Sequence, residues 1–329
     1  MPLCMDPLSE LTVFFNSQKR LIRTEIRGYC EKMKDVKLYT HKRNESDIFI
    51  KNISKISDNH FQCDLRLITD HHFYCDFIPC TNRINPIFLL ECARQIETYL
   101  SHTEFGITLD SKFLLDSWSM KYYPTRTGDA ERLKADIYSK HPTINKKNKN
   151  QFNVIFKINM TVICTVTIDV RYITSHCYKL IRSIPDGINT PRVIAPLSPA
   201  SVCYTSNGNV ILADLNDNGP YVKAIININK NNKSLNDHEQ DHITGMNLTE
   251  AAKQICYSYL LIYMNEKSDR FIPVNLKGSF FSFVEKHIPA FVVIKKVELQ
   301  DNIYSFDIDV IQSKETLATV SLKLRGEHG

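Results

Sequence analysis

Apolar and polar positions along the chain follow two regimes. In residues 46–53, 59–67, 112–121, 131–138 and, longest, 153–172, apolar residues recur at every second position, as at Phe61, Cys63, Leu65 and Leu67. That period predicts half-buried strands. Between the second and third of these, Ile87, Phe88, Leu89, Leu90, Cys92, Ala93, Ile96, Tyr99 and Leu100 coat most of the circumference of a helical projection. Such a coat predicts a helix wrapped by a sheet, and Asn85 before Pro86 supplies an N-cap and a first-turn proline. A loop rich in aspartate, histidine and proline, residues 69–85, leads into this helix, and the polar residues 1–35 carry a short predicted helix over 8–27.

The second half repeats the order. Strands are predicted at 210–212 and 222–228, a polar loop at 229–241, a helix from 245 to 264, then strands at 280–285, 290–299, 303–311 and 317–324. Residues agree as well as order, since Leu89-Leu90-Glu91-Cys92-Ala93-Arg94-Gln95 lies over Leu248-Thr249-Glu250-Ala251-Ala252-Lys253-Gln254 at a constant offset of 159 positions. A repeat that long indicates two fused copies of one domain. Pro185, Pro191, Pro196 and Pro199 mark the join. The chain divides into an N-terminal domain with its extension (1–183), a proline-rich linker (184–200) and a C-terminal domain (201–329), an α+β architecture with one helix per copy.

Glu91, Arg94, Gln95 and Thr98 interrupt the first apolar coat at i, i+3, i+4 and i+7, so they fall on one narrow stripe. Glu250, Lys253, Gln254 and Tyr257 do the same in the second helix. An unpaired buried charge costs several kcal/mol, so these groups are either paired within the fold or facing a wet cleft. An internal ion pair that fixes register is one reading; the recurrence in both copies favours a site. Histidines lie near each helix start, at His71 and His72 before the first and at His238 and His242 before Gly245 of the second. A glutamate, a cation and a nearby histidine suffice for general acid–base work on an acyl substrate, with the helix N-terminus offering N–H groups to a thioester carbonyl. A metal site from His238, Asp241 and His242 is the weaker reading, because neither a cysteine ligand nor an HExxH pattern accompanies them. Cys92 has alanine at its counterpart, Ala251, and reads as a buried structural thiol.

Composition narrows the classes. No apolar run reaches the ~20 residues of a membrane helix. Ten glycines in 329 residues are under half the usual share, and neither GxGxxG, GxxxxGK[ST] nor GxSxG occurs, which removes the common nucleotide-binding and serine-hydrolase readings. The ten cysteines include no CxxC pair and the first residues form no signal peptide, so reduced thiols and a cytoplasmic location are expected. A net charge of +5 and the lysine- and asparagine-rich run 144–151 read as a solvated surface suited to an acidic partner, not as a nucleic-acid interface.

Tyr39-Thr40-His41-Lys42-Arg43, the NPIFLLECARQ run at 85–95, Thr103-Glu104-Phe105-Gly106, Asp169-Val170-Arg171-Tyr172 and the DHITGMNLTEAAKQ run at 241–254 occur in an order and spacing that resembles the A-factor biosynthesis hot-dog family, the AfsA-like γ-butyrolactone synthases. The resemblance spans nearly the whole chain. It implies a tandem double hot-dog, each copy a long central helix wrapped by an antiparallel sheet, packed as a pseudo-dimer that is monomeric or homodimeric. It also implies an acyltransferase that moves a β-ketoacyl group from acyl carrier protein or CoA onto the hydroxyl of dihydroxyacetone phosphate, toward a butenolide or γ-butyrolactone signal. No cofactor, metal, nucleic acid or membrane is implied. The helix glutamates Glu91 and Glu250 and the basic residues Lys253 and Arg94 are the implied catalytic groups, with Gln95, Gln254, His72, His242 and Gly245 expected to bind substrate. Lys253 departs from the family's arginine and forgoes bidentate recognition of phosphate. Two alternatives stay open: a hot-dog 3-hydroxyacyl-thioester dehydratase or thioesterase, with His72 or His242 paired to Glu91 or Glu250, and a non-catalytic acyl-ligand binder.

Overall fold

The computed structural model describes residues 36–126, 132–141, 143, 148–182, 194–217, 219–237 and 240–327. The helix expected at 8–27, His238, most of the linker and residues 144–147 of the lysine-rich run lie outside them. Two 18-residue helices, α1 (Pro86–Thr103) and α3 (Gly245–Ile262), form where the apolar coats predict. Each begins on a side-chain cap: Asn85 Oδ1 accepts from Ile87 N at 3.0 Å, and Thr244 Oγ1 from Asn247 N at 3.3 Å. A short α2 (Ser175–Ile181) follows the first copy.

One twelve-stranded antiparallel sheet wraps both long helices. Its first half contains β1 (Ile50–Ser57), β2 (His60–Leu65), β3 (Lys112–Tyr122), β4 (Leu133–Ser139), β5 (Lys149–Ile158) and β6 (Thr161–Ile173). Its second half contains β7 (Leu212–Asn216), β8 (Lys223–Ile226), β10 (Phe271–Phe280), β12 (Ala290–Gln300), β13 (Ile303–Gln312) and β14 (Glu315–Gly326). A separate small pair joins β9 (His242–Ile243) to β11 (Val284–Glu285). The order β1-β2-β4-β5-β6-β3-β10-β14-β13-β12-β8-β7 is a palindrome of the two copies, so the chain is a double hot-dog with its pseudo-twofold between β3 and β10. Inward-facing residues such as Phe152, Val154, Phe156, Val310, Val320 and Leu322 are buried against the helices in one continuous core. No helix among the described residues is long and apolar enough to cross a membrane.

Three strand expectations need correction, the first at 210–212, where only Leu212 is strand because β7 runs Leu212–Asn216. The segment 153–172 is not one strand but the β5–β6 hairpin, because Asn159 and Met160 both take positive φ (48° and 70°), the pattern of a tight two-residue turn. Asn-Met lacks the glycine that normally announces such a turn, so the alternation reads straight through it. The strand expected at 280–285 is only the last residue of β10 and the two-residue β11. β10 itself escapes the pattern because Pro273, Asn275 and Gly278 break its alternation.

β10 lies on the pseudo-twofold, where Trp118 of β3 pairs directly with Gly278. The two residues face each other across the pair, and the Trp118 ring fills the space that a side chain at 278 would need. A Cβ at 278 would fall 2.8 Å from Trp118 Nε1 and 3.0 Å from Phe280 Cζ. Gly278→Ala is expected to destabilise the fold by about 1–3 kcal/mol, the usual overpacking cost. A urea midpoint equal to that of the parent protein would contradict this.

Candidate functional site

The stripe of α1 is built around Glu91. Arg94 grips its carboxylate bidentately, Nε to Oε2 at 2.8 Å and Nη2 to Oε1 at 2.7 Å. Lys42 Nζ lies 3.0 Å from Oε1, and Gln95 Nε2 donates to the same oxygen at 2.9 Å. Lys42 reaches the helix because His41 turns the chain through a left-handed conformation, φ 56°. Burial by itself would raise the Glu91 pKa, but Arg94 and Lys42 hold it well below the usual carboxylate range. Gln95 also donates to the Asp47 carbonyl at 2.7 Å and accepts from Phe49 N at 3.0 Å, tying α1 to the entry of β1. Asp47 in turn accepts from His71 Nε2 at 2.9 Å and from Ser234 of the other copy at 2.9 Å.

A cavity of about 940 Å³ opens over this stripe, between the copies. Glu91, Arg94, Glu97 and Thr98 of α1 line one side, and Thr244, Gly245 and Met246 at the start of α3 line another. Leu115, Trp118, Val170 and Phe280 give it an apolar part suited to an acyl chain, while His41, Lys42, Arg43, Asp237, Asp241 and His242 give it a polar part. Gly245 leaves the cavity wall close to the helix start, and any side chain there would push Leu115 and Phe280 aside. A Cβ would approach Leu115 Cδ2 to 2.8 Å and Phe280 Cζ to 3.2 Å. His242 Nδ1 contacts Asp241 Oδ1 at 2.6 Å, an arrangement that leaves Nε2 as the lone-pair nitrogen. Burial lowers the His242 pKa even beside that carboxylate. Tyr178 and His242 overcome the burial of Asp241 and draw its pKa down to about 2.

The stripe of α3 has the same residues in the same register and a different fate. Glu250 and Lys253 are fully buried, and neither lines the cavity. Tyr204 donates to Glu250 Oε1 at 2.9 Å, Lys253 Nζ donates to the Tyr204 hydroxyl at 2.9 Å, and Glu250 Oε2 sits 3.0 Å from Lys253 Nζ. The ammonium lies 3.6 Å above the Phe77 ring centroid, a close cation–π contact. Phe77 is clipped in place by a bridge to Tyr204 and by Ile78 N donating to Cys203 O at 3.0 Å. Pseudo-symmetry makes the comparison exact in kind: Cys203 turns left-handed (φ 59°) as His41 does, which puts Tyr204 where Lys42 stands. Gln254 mirrors Gln95, bonding Asn209 O and Ile211 N. The loops cross reciprocally too. The Asp237 carboxylate accepts from the amides of Arg43 and Asn44, and Asp76 accepts from those of Thr205 and Ser206.

Of the nine expected site residues, the structure therefore gathers Glu91, Arg94, His242 and Gly245 around one cavity. Gln95 and Gln254 are buried behind the stripes, and Glu250 and Lys253 are sealed. His72 is exposed on the surface, Nε2 3.2 Å from Ser234 Oγ. Cys92 is buried in the core, and burial raises its thiol pKa well above the ordinary value. Among the described residues no group of three His, Cys, Asp or Glu side chains is placed to hold a metal ion. One cavity residue, Glu97, escapes sequence reasoning, and for Lys42, whose His-Lys-Arg segment carries part of the family resemblance, only the partner does. Lys42 is distant in sequence, and nothing in its surroundings signals a partner on α1. Glu97 lies off the 91/94/95/98 stripe, although a carboxylate between Ile96 and the buried turn beyond it is itself an anomaly in an apolar coat.

Comparison with known proteins adds a family and a fold. A family described as "AfsA: A-factor biosynthesis hotdog domain" matches residues 36–174 and 188–326. A 2-oxo-3-(phosphooxy)propyl 3-oxoalkanoate synthase of Streptomyces virginiae is 22% identical over 270 residues, covering 80% of this chain and 87% of that protein. Among solved structures, the dehydratase domain of RzxB from Pseudomonas fluorescens superposes with a TM-score of 0.51 at 11% identity, covering 84% of this chain and 98% of that one. The 12:0-ACP thioesterase of Umbellularia californica gives 0.50 at 8% identity, covering 83% and 100%. At such identities the two structures speak for the double hot-dog fold alone.

Proposed function

Because the chain belongs to the A-factor biosynthesis hot-dog family through both of its halves, and because one of its two charged stripes opens on a cavity, we propose that it is an acyltransferase with a single working site at α1. The donor is a β-ketoacyl thioester of acyl carrier protein or CoA, and the acceptor is the hydroxyl of dihydroxyacetone phosphate, the substrate class named by the Streptomyces relative. The observation that carries this reading is the difference between the stripes: Glu91 and Arg94 meet the cavity, whereas Glu250 and Lys253 are plugged by Phe77 and Tyr204.

The chain's groups divide the work. The apolar wall at Leu115, Trp118 and Phe280 takes the acyl chain. The amides of Gly245 and Met246, at the start of α3 beside the cavity, face the thioester oxygen and stabilise its developing charge. Arg43 and Lys112 are exposed side chains at the cavity and supply cations for the phosphate. Glu91, held strongly acidic by two cations, is a poor proton acceptor near neutrality; it orients Arg94 and Lys42. His242 binds at the cavity, while Gln95 and Gln254 position the helices.

Incubating the protein with a β-ketoacyl thioester and dihydroxyacetone phosphate is expected to yield a phosphorylated β-ketoacyl ester by mass spectrometry. Free acid or enoyl thioester in its place, with no phosphorylated ester, would sink the acyltransferase reading and favour a thioesterase or dehydratase. Complete inertness with retained acyl binding would favour a non-catalytic binder.

A further inference from the structure

Glu97 is a buried acid that the Glu91–Arg94–Lys42 cluster does not use. It lies six residues beyond Glu91, about 9 Å further along α1, and is 3% exposed, yet it lines the same cavity. Among the described residues it forms no ion pair. Its surroundings are hydroxyls: Thr98 Oγ1 at 3.2 Å from Oε2, Ser101 Oγ at 2.9 Å from Oε1, and the Tyr172 hydroxyl of β6 at 3.3 Å from Oε1. Arg94 is one helical turn away, and His41 and Lys42, from the turn before β1, line the same cavity.

Counting hydrogens shows why this carboxyl holds a proton readily. Each hydroxyl has one hydrogen to give. Thr98 also bonds the Arg94 carbonyl at 2.9 Å and Ser101 also bonds the Glu97 carbonyl at 2.8 Å, so their hydrogens are contested, and Tyr172 is itself 2.8 Å from Ser101. An ionised Glu97 is thus sparsely supplied with donors, whereas a protonated one finds an acceptor in Thr98 Oγ1. Burial pushes its pKa up to about 7, against smaller opposing effects of the hydroxyls and Arg94. The fold does not demand this acid. The residue at the same register of α3, 159 positions on, is Cys256, which is fully buried in the core.

We propose that Glu97 is the general base, and then the general acid, of the transfer reaction; this rests on the acyltransferase reading above. As the acceptor oxygen attacks the thioester carbonyl carbon, its proton passes to the Glu97 carboxylate, the C–O bond forms and the carbonyl electron pair moves onto oxygen. Collapse of that intermediate breaks the C–S bond, and Glu97 returns the proton to the departing sulfur. No external oxidant, reductant or metal enters the balance.

The test compares full-length wild type, Glu97→Gln and Tyr172→Phe in the ester-forming assay between about pH 5 and 9. Wild type is expected to lose kcat/KM on an acidic limb centred near pH 7. Glu97→Gln is expected to lose about 10²–10⁴-fold in kcat with little change in KM, and to lose the limb. Tyr172→Phe removes a donor to the ionised carboxylate and is expected to shift the limb to higher pH. An activity-free readout runs alongside. A carboxyl with a raised folded pKa gives stability that is complete below the unfolded value of about 4.3 and lost as pH rises through about 7. Wild type should show that loss and Glu97→Gln should lack it. A Glu97→Gln enzyme within about threefold of wild type, with the limb intact, overturns the proposal. Should that variant fail to fold, a wild-type profile flat through neutrality, or one unmoved by Tyr172→Phe, overturns it as well. Absence of ester from wild type itself is the failure of the acyltransferase reading; the stability comparison still tests the proton affinity of Glu97.

Discussion

Glu91→Gln is expected to lower kcat/KM for ester formation by about 10²–10³-fold, the scale seen when one preorganised electrostatic element is removed from an active site. The substitution keeps the shape of the side chain and deletes its charge. Arg94 loses the partner of its two parallel hydrogen bonds, and the buried Lys42 ammonium loses its counter-ion, so both cations turn away from the cavity they now line. The loss should fall on turnover, with a circular-dichroism melt showing the protein still folded. A variant with wild-type turnover would remove Glu91 from the site. Acid should act on stability before it neutralises the folded carboxylate. Because the folded Glu91 pKa is depressed, its stabilising contribution is present above the unfolded carboxylate value, about 4.3, and fades as pH falls below it.

The counterpart substitution Glu250→Gln is expected to act on stability instead. Lys253 is fully buried over Phe77, and removing the carboxylate leaves an ammonium with no charge partner in the core. Breaking one side of a buried pair costs about 3–5 kcal/mol. Turnover per folded molecule should stay near the wild-type value, because the α3 stripe does not meet the cavity. Replacing both partners, as Glu250→Leu with Lys253→Met, should recover much of the stability, since apolar residues of similar volume need no counter-charge. Urea unfolding, read with turnover normalised to folded protein, separates the outcomes. If Glu250→Gln abolishes turnover while its unfolding midpoint is unchanged, the single-site assignment fails.

These paired expectations invert what the helices alone imply. In sequence the two stripes are near copies, glutamate, cation and glutamine at the same spacing, and nothing local separates a working pair from a structural one. The distinction comes from residues elsewhere. Phe77, from the loop of the first copy, crosses to cover Lys253 of the second, and Tyr204 occupies the position that Lys42 holds at the other site. The same limit explains Lys42 and Glu97. Lys42 finds Glu91 only through the turn at His41, and the burial that sets the proton affinity of Glu97 is contributed by β6 and the cavity wall.

What was legible followed from short-range physics. Helix periodicity, the Asn85-Pro86 start and the repeated Leu-x-Glu-x-x-[Arg/Lys]-Gln core determined two copies of one unit, each with a polar stripe on a buried helix, because side-chain spacing along a helix fixes which residues share a face. Strand alternation located most of the sheet and failed where a two-residue turn carried no glycine, at Asn159-Met160, or where the seam strand carried proline and glycine. Tertiary structure alone decided which stripe is wet. The free energy of a charge depends on what surrounds it in space, and here that environment is assembled from segments of both copies.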